Sequence, residues 1–139
     1  RRSFGAAMKR CHNKKWPHIN LILPPLKHFD LAEVTRAVSE GVGLCAYVFE
    51  EWKAKKELYH VKKITLVGAK DPQILKKTEG ILSGVNLSRD LINRNALDIT
   101  PQALAAEAQK LAKKFSSVKA TILTKKEIEK EKMGLLLAV

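Results

Sequence analysis

Residues 64–72 read Ile64-Thr65-Leu66-Val67-Gly68-Ala69-Lys70-Asp71-Pro72, and this stretch decides the fold class. Its first four residues are apolar or β-branched and form a short buried strand bounded by a glycine turn. Asp71 followed by Pro72 then opens a helix. The aspartate accepts from free N–H groups, and proline's missing N–H costs nothing at the first helical position. Strand, tight turn and capped helix make the repeating unit of an α/β protein.

Working outward, residues 19–23 read as an earlier buried strand, closed by Pro24-Pro25. Before it, Phe4, Met8 and Cys11 at i, i+4 and i+7 mark one helix face. Asp30 with Glu33 is a capping-box pattern. It predicts a helix running to about Lys55, with Val34, Val38, Cys45, Phe49 and Trp52 facing inward. Gly41 and Gly43 weaken that helix by roughly 1 kcal/mol each relative to alanine, which predicts close packing or a break there.

Downstream of Pro72, Leu75, Thr78, Leu82, Val85 and Arg89 share one helical stripe, with Ile74, Ile81, Ser88 and Ile92 beside it, as far as about Asn93. Thr100-Pro101 repeats the cap-then-proline signal, and Leu104, Ala108, Leu111 and Phe115 form the expected buried face of the helix that follows. Residues 118–123 predict a strand. Thr124-Lys125-Lys126-Glu127 is a second capping box, opening a short helix that ends at Gly134. The alternation predicts an α/β fold with a largely parallel sheet flanked by helices. Two units are expected, joined by the long helix over 73–93, because Asn93-Arg94-Asn95 offers few apolar anchors.

Composition excludes several classes. The 139 residues are 45% hydrophobic with seven Gly and five Pro, which rules out fibrous and disordered chains. No window approaches 18 uninterrupted apolar residues, so no membrane span is expected. Two cysteines, Cys11 and Cys45, cannot build a disulfide scaffold and suit a reducing cytosol. Lys and Arg number 26 against 14 Asp and Glu, a net charge of +12. That surplus attracts polyanions; with no docking motif beside it, a solvated basic surface explains it more plainly. No secretion signal is visible. The apolar run Met133-Gly134-Leu135-Leu136-Leu137-Ala138-Val139 predicts continuation into a buried element of a longer protein.

The residues by themselves outline no active site. Cys11 and His12 are adjacent, the wrong spacing for one zinc, and His18, His28 and His60 are scattered. No G-x-S-x-G elbow occurs, and Cys45 reads as a buried, inert thiol. The Val67-Gly68-Ala69-Lys70 turn lacks the further glycines of a phosphate loop. Glu50-Glu51 and Glu127, Glu129 and Glu131 sit among lysines as a solvated charge pattern. Trp16, Tyr47, Trp52 and Tyr59 are too separated for a base-stacking platform.

A more specific signal lies in Gly84-Val85-Asn86-Leu87-Ser88-Arg89-Asp90-Leu91-Ile92-Asn93, then Thr100-Pro101, then Lys126-Glu127-Ile128 and residues 133–139. In order and spacing these resemble the leucyl (cytosol) aminopeptidase family, whose pattern is G-x-N-x-A-R-D-L-x-N-E-P-A-N, T-P-x-x-L-A and K-E-[IL]-x-x-x-x-M-G-x-L-L-A-V. Upstream, Glu40-Gly41-Val42-Gly43-Leu44-Cys45-Ala46-Tyr47-Val48-Phe49 is similar to its E-G-x-x-L-x-x-Y-x-F helix. The resemblance is strong over about 36–139 and weak over 1–35. Arg94, Asn95 and Leu97 stand where Glu, Pro and Asn are usual, and Ser88 replaces a usual Ala.

The resemblance implies that residues 1–72 are the C-terminal part of a macro-domain-like N-terminal α/β domain. It implies a connecting helix over 73–93 and the start of a truncated catalytic domain over 94–139. It further implies a cytoplasmic, homo-hexameric exopeptidase acting on peptides, in which two divalent metal ions, manganese or zinc, polarise the substrate carbonyl and activate water. The family's V-G-K-G-x-x-F-D-S-G-G and N-T-D-A-E-G-R motifs do not occur in these 139 residues. The expected site assignment is therefore catalytic none, cofactor-binding none and metal none, with this portion a scaffold inactive alone. Two other functions compete: DNA binding through phosphate contacts, as in some family members, and an ADP-ribose pocket like that of macro domains, for which the glycine loops are not evident.

Overall fold

The computed structural model describes residues 1–54 and 61–138. Lys55, Tyr59, His60 and Val139 of the sequence analysis lie outside them. The chain divides into two compact units, Arg1–Asn93 and Arg94–Val139.

The first unit is mixed α/β. Helix α1 (Arg2–Asn13) leads to strand β1 (His18–Ile22), and α2 (Leu31–Cys45) crosses over to β2 (Lys63–Val67) and α3 (Pro72–Asn93). The strands are parallel and in register from His18 opposite Lys63 to Ile22 opposite Val67. Alternation along each strand turns Ile19, Leu21, Ile64 and Leu66 toward the helices and leaves His18, Asn20, Lys63 and Thr65 exposed. The core is one cluster of Met8, Ile19, Leu23, Val34, Val38 and Val42, with Phe4, Cys11 and Cys45 packed at its margin. Thr35 and Thr78 are buried among these apolar groups at 1% and 2% exposure. Each hydroxyl donates to the carbonyl one turn back, Leu31 O at 2.7 Å and Ile74 O at 2.8 Å, so neither burial leaves an unpaired donor.

The two glycines of α2 sit where its neighbours come closest. A Cβ on Gly41 would collide with the backbone of Arg1, and one on Gly43 with the side chain of Leu82 on α3. Close packing, rather than a break, is what these glycines provide.

Helix α2 ends at Cys45, ten residues before the sequence predicts. The Ala46 N–H bonds back to Val42 O and Gly43 O, and the Arg89 guanidinium takes Leu44 O at 3.1 Å. A cation from α3 thus receives a terminal carbonyl of α2, a tertiary contact that periodicity does not encode. Phe49 and Trp52 lie beyond the helix, and Trp52 is exposed. The capping box predicted at Asp30 and Glu33 does not form. The helix starts through backbone bonding alone, with Val34 N–H to Asp30 O at 3.0 Å. At α3 the predicted cap is present, with Asp71 Oδ1 accepting from Gln73 N–H at 2.8 Å.

The second unit holds α4 (Pro101–Lys114), α5 (Lys125–Lys130) and α6 (Gly134–Leu137). Thr100 caps α4 by accepting from Ala103 N–H at 3.2 Å. At α5, the Glu127 carboxylate accepts from both the N–H and the hydroxyl of Thr124 at 2.6 Å. The predicted helix to Gly134 is two pieces: α5 stops at Lys130, Lys132 takes φ +56°, and α6 starts at Gly134. Residues 118–123 form no strand. A ladder needs a partner, and β1 and β2 pair only with each other among the described residues. None of the described residues of this unit is buried. Leu104 and Phe115, predicted to be inside, are 45% and 46% exposed, and Leu135 is 90% exposed.

Two glycines predict opposite responses to the same substitution. Gly68 holds φ +96° in the turn between β2 and α3, a conformation that strains any Cβ-bearing residue. Gly68→Ala should lower unfolding free energy by about 1–3 kcal/mol. Gly80 lies on α3 with open space around its missing Cβ, so Gly80→Ala should raise it by about 0.5–1 kcal/mol. Denaturant titration of the two variants checks both signs.

Candidate functional site

The two quoted motifs, 40–49 and 84–93, are distant in sequence and meet in space. Tyr47, just past the end of α2, donates its hydroxyl to Asp90 Oδ1 at 2.8 Å, and Asn93 Nδ2 donates to the same Tyr47 oxygen at 3.0 Å. Arg89 lies with its guanidinium carbon 5.2 Å from the Tyr47 ring centroid while it donates to Leu44 O. One turn of α3 therefore presents a cation, a carboxylate and an amide to the end of α2. The tyrosine is held by its face, through a cation–π contact, and by its hydroxyl. At the other end of the first motif, Glu40 pairs with Arg1 at 2.7 Å and Arg36 at 3.7 Å.

The environment of Tyr47 disfavours its anion. Burial pushes its pKa above the ordinary value of 10.0, and the Asp90 carboxylate that accepts its proton pushes the same way, against the smaller opposing effects of Asn93 and Arg89. The chemistry available to this group is that of a clamp. The Tyr47 hydroxyl both donates and accepts within the cluster. Asn86, on the same helix, keeps a buried Oδ1 without a partner, as does Glu50 Oε1. The reading of Glu50 as part of a solvated pair is thereby corrected: its neighbour Glu51 is exposed, whereas Glu50 is half-buried.

Metal-ligating side chains do not converge. No group of three or more His, Cys, Asp or Glu that could hold an ion occurs among the described residues. Among the described residues the donor set does not fit a two-metal centre. Cys11 and Cys45 are free and half-buried against the core, and Cys45 is the last residue of α2 rather than mid-helix. The turn at Gly68 opens beside a cavity of about 350 Å³ lined by Asp30, Thr35, Lys70 and Asp71 at the starts of α2 and α3. A second cleft of about 370 Å³ lies between Phe4, Phe29, Val34 and Val38. Within the second unit, Ile122, Leu123, Ile128, Leu136 and Leu137 line an apolar cleft of about 560 Å³.

The parallel α/β unit, clamped through an R-D-x-x-N turn on its last helix, brings together the two motifs that carry the family resemblance. Residues 86–139 match the family model described as the catalytic domain of the cytosol aminopeptidase family. Along its whole length the chain is similar to proteins named for that family. It is 37% identical over 145 residues to a "Probable cytosol aminopeptidase" of Protochlamydia amoebophila (strain UWE25), covering 100% of this chain and 29% of that protein. With the protein of the same name from Chlamydia trachomatis serovar A it shares 39% over 143 residues, covering 99% of this chain and 29% of the relative. The chain thus spans 29% of the length of these curated relatives. Its fold is similar to that of a tomato leucine aminopeptidase variant, with a TM-score of 0.85 at 23% identity, covering 93% of this chain and 27% of the other. It is also similar to the bottromycin maturation enzyme BotP in complex with Mn, with a TM-score of 0.65 at 24% identity, covering 81% and 24%.

The clamp was not visible as a site in the sequence. Its signal was the joint presence of two motifs, each of which read only as a helix stripe by itself.

Breaking the clamp has a pH signature. Because the folded-state pKa of Tyr47 lies above its unfolded value, the folded state keeps the proton over a range where the unfolded chain has released it. The contribution of Tyr47 to stability should therefore be level below pH 10 and fall as pH rises above it. Tyr47→Phe should lower the thermal midpoint at pH 7 and remove that tyrosine's share of the alkaline fall, read by thermal melts from pH 7 to 11.

Proposed function

We propose that this chain is the scaffold portion of a metal-dependent leucyl aminopeptidase, an exopeptidase that releases N-terminal amino acids from peptides. The observation that carries this is the 37% identity to a probable cytosol aminopeptidase along the whole of the chain. Relatives named for the cytosol support a cytoplasmic location, and no helix among the described residues is long and apolar enough to cross a membrane. A homo-hexamer and a pair of divalent ions, manganese or zinc, complete the reading, and the manganese complex of a structural neighbour supports a divalent metal. When bound, such ions supply Lewis-acid polarisation and an activated water. No step of that chemistry is assigned to residues of this chain, since its described donors do not converge.

The part left to these residues is mechanical. Residues 1–72 belong to an N-terminal α/β domain, 73–93 form the helix that leads out of it, and 94–139 begin the catalytic domain. The Tyr47–Asp90–Asn93 clamp, with Arg89, ties the end of α2 to the last turns of α3. It thereby sets the direction in which α3 leaves the domain. The exposed apolar residues Leu135 and Leu136 suit burial against further catalytic-domain structure.

Two assays test the proposal. The purified chain should show no hydrolysis of leucine p-nitroanilide with added manganese, and metal-dependent turnover by it would overturn the scaffold role. An antibody raised against the chain should capture from native cells a species several times its mass that hydrolyses the same substrate. Capture of a 15.6 kDa species without peptidase activity would overturn the aminopeptidase reading. DNA as a partner has the +12 charge as its support in the sequence.

A further inference from the structure

The cleft of about 370 Å³ in the first unit has an apolar floor. Phe4 of α1 and Val34, Ala37 and Val38 of α2 line it, and Val34 and Val38 belong to the buried core beneath. The connection from β1 to α2 supplies Leu26 and Phe29 to the same cleft, in a turn closed by Phe29 N–H on Leu26 O at 3.2 Å. That turn leaves Leu26 47% and Phe29 62% exposed, two large apolar side chains with nothing over them.

Two charged groups of opposite sign line the cleft with these residues, Glu33 and Arg36. Three positions apart on α2, they are neighbours on the helix surface. They differ in what already holds them. Arg36 Nε lies 3.7 Å from Glu40 Oε1, while Arg1 takes the other oxygen of that carboxylate at 2.7 Å. A guanidinium carries five N–H donors, and Glu40 faces only the Nε of Arg36, so the others remain for a further acceptor. Glu33 has no hydrogen bond or ion pair among the described residues.

We propose that this cleft is a binding site for a free apolar α-amino acid. Arg36 takes the α-carboxylate, Glu33 takes the α-ammonium, and the apolar side chain lies against Phe4, Val34, Val38 and Phe29. Size and charge together select this occupant. A volume of about 370 Å³ falls in the range of small-ligand pockets, and an apolar floor with few polar groups suits an amphipathic molecule. A fatty acid would leave Glu33 facing its chain or its carboxylate, and an apolar amine would do the same to Arg36. A peptide end carries one of the two charges beside its terminal side chain, whereas a free amino acid carries both on one carbon. The site lies wholly within the first unit and does not depend on the aminopeptidase reading.

The test is methyl NMR of the full chain titrated with L-phenylalanine, a readout that needs no turnover. The methyl signals of Val34 and Val38 should shift and saturate, while those of Val118 in the second unit stay in place. Three analogues each remove one part of the ligand. 3-Phenylpropionate, without the ammonium, and phenylalaninamide, without the carboxylate, should each bind about threefold more weakly or worse. Glycine, without the side chain, should produce no saturable shift. Glu33→Gln should weaken phenylalanine about threefold and leave 3-phenylpropionate no weaker, and Arg36→Gln should weaken phenylalanine and leave phenylalaninamide no weaker. Both residues are exposed, so neither exchange disturbs the core. Ala37→Leu, which fills the cleft at unchanged charge, should abolish the shifts. The absence of a saturable shift at Val34 and Val38, or binding of glycine as tight as that of phenylalanine, would overturn the site. Binding of 3-phenylpropionate as tight as that of phenylalanine, or equal losses of both ligands in Glu33→Gln, would overturn the amino acid as its occupant.

Discussion

Everything in the first unit depends on how closely α1 and α3 approach α2. A helix pair usually keeps its axes 8–10 Å apart because side chains fill the gap. At Gly41 and Gly43 there is no side chain, and the backbone of Arg1 and the side chain of Leu82 occupy the space where a Cβ would stand. Val38 and Val42 are buried beside these contacts. The same closeness brings the last turns of α3 within hydrogen-bonding reach of the end of α2, where Arg89 finds Leu44 O and Asp90 finds Tyr47. The clamp is a consequence of glycine spacing as much as of the polar residues that form it.

This gives the family's motif residues a physical role outside catalysis. Arg89, Asp90 and Asn93 each make contacts suited to their chemistry. A guanidinium reaches a helix-terminal carbonyl and stacks on an aromatic face, a carboxylate accepts a phenolic proton, and an amide donates to the phenolic oxygen. Losing Asp90 leaves the half-buried Tyr47 hydroxyl without its acceptor, and losing Arg89 leaves Leu44 O without that donor.

Much of the fold was legible in the sequence because it is locally written. The strands at 19–23 and 64–67, the cap at Asp71, the cap at Thr100 and the box at Thr124 and Glu127 each rest on residues within a few positions of one another. What was illegible depended on distant partners. The end of α2 at Cys45 follows from Arg89, 44 positions on, while apolar residues as far as Trp52 kept the helical period going. Residues 118–123 have the composition of a strand but no neighbour to pair with among the described residues. The clamp was legible only as two family motifs, since nothing in either says that Tyr47 reaches Asp90.

The second unit hides almost nothing. Helices α4 and α5 are capped, by Thr100 and by Thr124 with Glu127, yet none of the unit's described residues is buried. The heat capacity released on melting tracks the apolar surface that unfolding brings into water. In a calorimeter the cooperative peak would therefore belong to the first unit, whose core collects Met8, Ile19, Leu23, Val34, Val38 and Val42. Residues 94–138 would contribute a shallow, sloping helix–coil baseline. Capping fixes where a helix begins, but a sharp transition requires that something be enclosed.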